Sequence, residues 1–284
     1  MVTWQILIIL SVICYSISVL LQRILVREKD SDPVAYASFF QLLTGLMIGI
    51  FGYLFTTMKY PDFKPLILNF LIMIVLYALG NIFVFKALKR TEASKFSVIF
   101  SSRAIFAILA FSLLMKESLT VSQWIGTLLI LSAAVIVSLE KRKIKFSFKE
   151  IYSLLAAMFF GFAVVNDRFL LGHFDVFPYS FLAFVLPALS VLVFYSGSIK
   201  KMKVFLVKGT FVRMATLSLF YAASAILFFY ALQIAENSSQ VISLNSIGVV
   251  VTVIFAILFL NERKRIIWKI VGSFLGFLGL LLVK

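Results

Sequence analysis

Apolar runs of about 20 residues, separated by short breaks that carry charge or proline, recur along the whole chain. That is the length an α-helix needs to cross roughly 30 Å of hydrocarbon. Windows drawn between the breaks predict ten spans, at 4–25, 34–57, 65–86, 93–115, 119–139, 151–171, 176–198, 211–234, 239–260 and 266–283. One stretch, EKRKIKFSFKE at 140–150, departs from this composition and reads as a basic linker between residues 1–139 and 151–284. The spacing of the runs leaves no room for a soluble domain.

Composition agrees with the pattern. Of 284 residues 62% are hydrophobic and 14% charged, and the mean hydropathy is +1.08, which excludes an ordinary soluble domain. The first run has no basic region before it and no small-residue cleavage site after it, so it is expected to remain as a span rather than act as a signal peptide. A single cysteine, Cys14, excludes a disulfide framework or a cysteine metal site. The formal charge of +15 comes mainly from short connections, where Lys and Arg meet lipid headgroups, so membrane lipid and not nucleic acid is the expected partner.

The two sides of the linker resemble each other. YALGNIFVFKAL from Tyr77 aligns with YAASAILFFYAL from Tyr221, and the register continues through Glu92 with Glu236, Ser94 with Ser238 and Ser102 with Ser246. With successive one-residue adjustments of that register, Arg23 pairs with Arg168, Pro33 with Pro178, Glu117 with Glu262, and Gly126 with Gly272. The fold class expected is therefore an all-α integral membrane protein, with ten transmembrane helices as two five-helix repeats. An odd number of spans per repeat makes the second copy enter from the opposite side, the inverted arrangement that lets one midplane site open to either face in turn.

At this point the chain resembles a known family. The segments KESLTVSQWIGTLLILSAAVIV, closing the first half, and NERKRIIWKIVGSFLGFLGLLLV, closing the other, are similar to the EamA family of the drug/metabolite transporter superfamily. The sharpest marks are Glu117 with Gly126 and Glu262 with Gly272, a loop carboxylate ahead of a glycine-bearing fifth helix in each repeat. The resemblance implies a transporter of small organic metabolites, often amino acids or their derivatives, with both termini in the cytoplasm. Charge gives the other orientation. Twenty of the 27 Lys and Arg lie in or beside the connections after spans 1, 3, 5, 7 and 9 and five on the opposite side, so the positive-inside rule puts both termini outside.

Candidate chemistry is sparse. Arg103 falls about ten residues into the fourth span, roughly 15 Å deep and too far down for easy snorkelling. Its charge there costs about 2.5–3.5 kcal/mol on insertion scales, so it should face the bundle interior or a cavity. It is either a guanidinium anchor for a substrate carboxylate or phosphate, or a tie between helices. The equivalent position in the second repeat is Ile247. At comparable depth are Tyr77 and Asn81, Gln41, Ser101 and Ser102, Tyr221, and Ser243, Asn245 and Ser246. These residues either line one cavity or bond helix to helix.

Asp167 and Arg168, near the end of the sixth span, are a possible gate or a pair of interfacial anchors. Lys86 reads as a snorkelling residue at a span end. Gly272, Gly276 and Gly279 would let the last helix approach a neighbour closely, within the fold or in a homodimer. No carboxylate falls in the middle of a span, and the one histidine, His173, lies in a loop. HExxH, nucleophile-elbow and Walker patterns are missing, so no catalytic residue, metal or cofactor is expected. The reading is a multi-pass protein of the plasma or inner membrane. It is a secondary transporter or facilitator of a small anionic or zwitterionic, amino-acid-like metabolite, working by alternating access. The alternative is a membrane enzyme or lipid-handling protein using the same cavity.

Overall fold

The computed structural model describes residues 3–27, 31–107, 110, 120–140, 143–144, 148–235, 241, 244–245 and 247–282. Its helices follow the apolar runs. They are α1 (Trp4–Val26), α2 (Pro33–Phe55), α3 (Ile67–Arg90), α4 (Ala93–Phe100), α5 (Val121–Ser138), α6 (Phe148–Leu170), α7 (Val176–Phe194), α8 (Lys208–Ile234), α9 (Ile247–Phe259) and α10 (Ile266–Leu282). Among the described residues six helices are long and apolar enough to cross a membrane. The protein is thus a multi-pass membrane protein, and many large apolar side chains, such as Leu54, Phe55, Val193 and Phe194, face outward where lipid replaces water.

Three boundaries differ from the sequence reading. The fourth span is not one helix. α4 stops at Phe100, a turn follows at Ser101 and Ser102, and the chain is helical again at 103–107. Both serine hydroxyls bend back, donating to the carbonyls of Val98 at 2.6 Å and Ile99 at 2.7 Å. That local competition with the helix ladder is a usual cause of such a bend. The linker is shorter than 140–150, because α6 begins at Phe148 and Leu139–Glu140 pairs antiparallel with Lys143–Ile144. α3 runs on to Arg90, so Lys86 is inside it, its ammonium 5.5 Å from the Phe83 ring and 5.8 Å from that of Tyr152.

Packing divides the helices into two groups. α1 packs on α8 and α9, and α2 on α8; α3 packs on α6 and α7, and α4 on α6. Exchanging the first five helices with the second five maps these packings onto one another. α2 meets α7 and α4 meets α9 across the seam between the groups, while α5 lies against α10.

The α2–α7 seam is set by glycines. A Cβ at Gly45 would lie 2.6 Å from Val185, and one at Gly49 2.6 Å from the Phe181 ring, so only hydrogen lets the helices come so near. α10 does the same against α5, where a Cβ on Gly279 would lie 2.7 Å from the Gly126 carbonyl. The α10 glycine face is thus used within the chain.

Polar ties replace hydrophobic drive inside the bilayer. Ser11 Oγ donates to the Ser224 carbonyl at 2.8 Å, and Thr252 to Ser16 at 2.9 Å, in the first group. In the second, Asn69 and Asn166 bond reciprocally at 2.8 and 3.0 Å. Such bonds are worth about 0.6 kcal/mol each in membranes, so they orient helices more than they hold them.

Candidate functional site

Between the two groups lies a cavity of about 160 Å³. α1, α3, α6, α8 and α9 line it, together with α4, the segment after α4, and Phe184 of α7. Of the residues singled out by depth, Arg103, Tyr77, Asn81, Tyr221 and Asn245 all face it. The turn at 101–102 redirects the chain just before Arg103. Its guanidinium stacks over the Phe100 ring at 5.0 Å, and among the described residues no carboxylate is within ion-pair distance. A guanidinium at the cavity wall with no carboxylate beside it among the described residues can offer its fork of donors to a guest.

Gly161 makes this placement possible. A Cβ there would lie 2.5 Å from the Arg103 carbonyl and 2.6 Å from the Phe106 Cβ, so α6 and the 103–107 segment touch backbone to backbone.

Two residues picked by depth point elsewhere. Ser102 is buried against Ile99, while Ser97 and Ser101 face the cavity instead. Gln41 is wholly buried, and its amide donates to the Tyr77 carbonyl at 3.3 Å. Ser243 and Ser246 lie outside the described residues.

Asp167 and Arg168 separate. Arg168 is exposed and reaches the Leu232 carbonyl at 3.4 Å. Asp167 is 2% exposed and turns into the cavity, accepting from the Tyr77 hydroxyl at 2.6 Å and the Tyr179 hydroxyl at 2.5 Å. It is neither an interfacial anchor nor the ion partner of its neighbour. The carboxylates are therefore not all peripheral. Asp167 lies only three residues before the end of α6, yet its carboxylate meets the Tyr77 hydroxyl of α3 inside the cavity.

The end of the molecule that gathers the connections after α1, α3, α7 and α9 is tied across the two groups. Arg23 donates to the Leu88 carbonyl and, at 3.1 Å, to that of Lys89. Lys201 meets Asp32 at 2.5 Å, and Asp32 also caps α2 through the backbone N–H groups of Val34 and Ala35 at 2.9 and 3.1 Å. Burial works against ionising Asp32, but Lys201 and these N–H groups outweigh it and hold its carboxyl below the usual range.

Glu262, in the turn before α10, accepts from Ala93 N at 2.9 Å and Ser94 N at 3.0 Å, and from the Ser94 hydroxyl at 2.5 Å. It caps α4 of the other half, and Lys269 bridges from Glu92 at 2.7 Å. This gives the repeated loop carboxylate a physical role. Its counterpart Glu117, with Glu236 and Ser238, lies outside the described residues.

A model of the EamA-like transporter family matches the sequence twice, over residues 2–139 and 147–284. The chain belongs to the EamA-like transporter family. With that membership come the two-repeat architecture and the general function of a transporter of the drug/metabolite type. Among solved structures, one described as "Crystal structure of protein" matches 96% of this chain and 95% of that chain, at 12% identity and a TM-score of 0.63, a likeness of fold alone. No curated protein matched the sequence. For this EamA-like chain, geometry is therefore what bears on the site.

Proposed function

We propose that the protein is a secondary transporter or facilitator of a small organic metabolite with an anionic or zwitterionic group, and that Arg103 is the counter-charge for that group. The observation that carries this reading is the Arg103 guanidinium at the wall of a cavity between two helix groups, with no carboxylate within ion-pair distance of it among the described residues. A merely structural arginine would be expected to end on carbonyls or an acid, as Arg23 does.

Transport follows from the symmetry. The exchange of packings between the halves supports inverted repeats, in which groups α1, α2, α8, α9 and α3, α4, α6, α7 rock about the cavity and expose it to alternate faces. The ties at the basic end would hold one such state. By the positive-inside rule that end is cytoplasmic, in a plasma or inner membrane, with both termini outside. A reporter fused to Lys284 that proved cytoplasmic would reverse this orientation.

The test of substrate class is a thermal-shift screen of detergent-purified wild type and Arg103→Gln against carboxylates, phosphates, amino acids, nucleosides and quaternary amines. A ligand that binds the native state raises its midpoint by mass action. Stabilisation of wild type alone, by an anion or zwitterion, is the expected result. Equal responses of the two proteins, or responses to cations only, would make Arg103 structural.

A further inference from the structure

The repeat aligns Arg103 with Ile247 and Asp167 with Gln22, so each half contributes one charge that the other half lacks. Three of these four residues, Arg103, Asp167 and Gln22, line the same cavity. A duplicated scaffold has thus been made polar in opposite senses, a positive group from the first repeat and a negative one from the second. The surroundings of the two charges are otherwise largely apolar or aromatic, with Phe100, Phe160, Phe184 and Phe229 among the lining side chains.

Asp167 is held on both of its oxygens. Each carboxylate oxygen accepts one phenolic hydroxyl, Oδ2 from Tyr77 and Oδ1 from Tyr179, and among the described residues no Lys, Arg or His lies within ion-pair distance. A carboxylate offers about four lone-pair positions, so two acceptor positions remain after the tyrosines are served. Two neutral donors orient the group without neutralising it. A buried carboxylate in this condition is neutralised either by a proton or by a cation that arrives with a guest.

We infer that Asp167, fixed by Tyr77 and Tyr179, is a second charged anchor of the cavity that receives a protonated nitrogen of the substrate. The inference rests on the transporter reading above and narrows it. The guest carries a positive as well as a negative group, with the nitrogen toward α6 and the anion toward Arg103. Tyr77 belongs to the anchor as a positioning residue, and Gln22, whose Oε1 has no hydrogen-bond partner among the described residues, is the neutral mirror of Asp167.

The experiment uses the full chain in detergent and three matched probes on each of the alanine, leucine and phenylalanine side chains: the amino acid, the acid lacking the amino group, and the amine lacking the carboxylate. Affinities are read by ligand-induced shifts for wild type, Asp167→Asn, Arg103→Gln and Tyr179→Phe. Wild type is expected to prefer the amino acid over the acid by about 10- to 100-fold, the range for one charge-assisted hydrogen bond. Asp167→Asn should erase that preference while still binding the acid, and Tyr179→Phe should weaken it with the ranking intact.

Retention of the full preference in a folded Asp167→Asn protein would overturn the inference and leave Arg103 untouched. Wild type binding the acid as tightly as the amino acid would overturn it without recourse to any variant. Amine binding that needs Asp167, together with acid binding indifferent to Arg103→Gln, would uphold this anchor and remove the anion reading instead.

Discussion

Replacing Glu262 by alanine removes the acceptor for two backbone N–H groups, those of Ala93 and Ser94, and for the Ser94 hydroxyl. Both residues are wholly buried, so water does not readily take the place of the carboxylate. An unsatisfied buried donor costs about 1–3 kcal/mol, and a lost N-cap about 1 kcal/mol. The two figures describe partly the same bonds, so about 3 kcal/mol is the working value. Lys269 is not stranded, because Glu92 remains 2.7 Å away.

By the scaling of soluble domains, that loss lowers an apparent midpoint by roughly 6–12 °C. Glu262→Gln keeps one acceptor oxygen and should fall between wild type and Glu262→Ala. The cap also joins the two helix groups, so Glu262→Ala should open the basic end more often. In a Cys14→Ser background, Ser97→Cys should then react faster with a polar maleimide. An unchanged midpoint and labelling rate in Glu262→Ala would refute the reasoning, as would a Gln variant no more stable than the Ala variant.

Other outcomes follow from the same geometry. Gly161→Ala places a methyl 2.5 Å from the Arg103 carbonyl and should cost about 1–3 kcal/mol in a melting assay and displace Arg103, with loss of the ligand response beyond the loss of stability. Gln41→Leu should leave ligand affinity within about twofold in the same screen, because its side chain is turned away from the cavity to the Tyr77 carbonyl. For Asp32, whose carboxyl is held below its usual range, the stabilisation is complete above the unfolded value of about 4 and is lost as pH falls through the lower folded value. Melting between pH 5 and pH 2 should therefore show a smaller acid-induced drop in Lys201→Ala than in wild type.

Much of the architecture was legible because the bilayer imposes a single length on the spans and the duplication repeats it. Depth was legible for the same reason, and Arg103, Tyr77, Asn81, Asn245 and Tyr221, picked by depth, lie at the cavity wall. Facing was not. Ser101 and Ser102 differ by one place in sequence, and in the turn that interrupts the span only Ser101 meets the cavity. Gln41 has the right depth on the wrong face.

Asp167 was singled out only as a possible gate or anchor, because near the end of an apolar run a carboxylate is cheap to explain as an anchor. The signal that could have found it is its alignment with Gln22, a polar residue one place before the paired arginines Arg23 and Arg168. Glu262 was visible as half of a repeated mark, but its partner lies in the other half of the chain. No local pattern announces that contact. Gly161 likewise looks like any glycine in a helix until the 103–107 backbone is seen against it.

The central claim is that this cavity carries its guest by the anion, held at Arg103. Its most direct measurement is flux of the stabilising ligand into proteoliposomes, for wild type, Arg103→Gln and Arg103→Lys at matched protein content. Flux that is lost in Gln and partly kept in Lys, with all three proteins equally folded, is what the account predicts. Wild-type flux in a folded Arg103→Gln protein would contradict it.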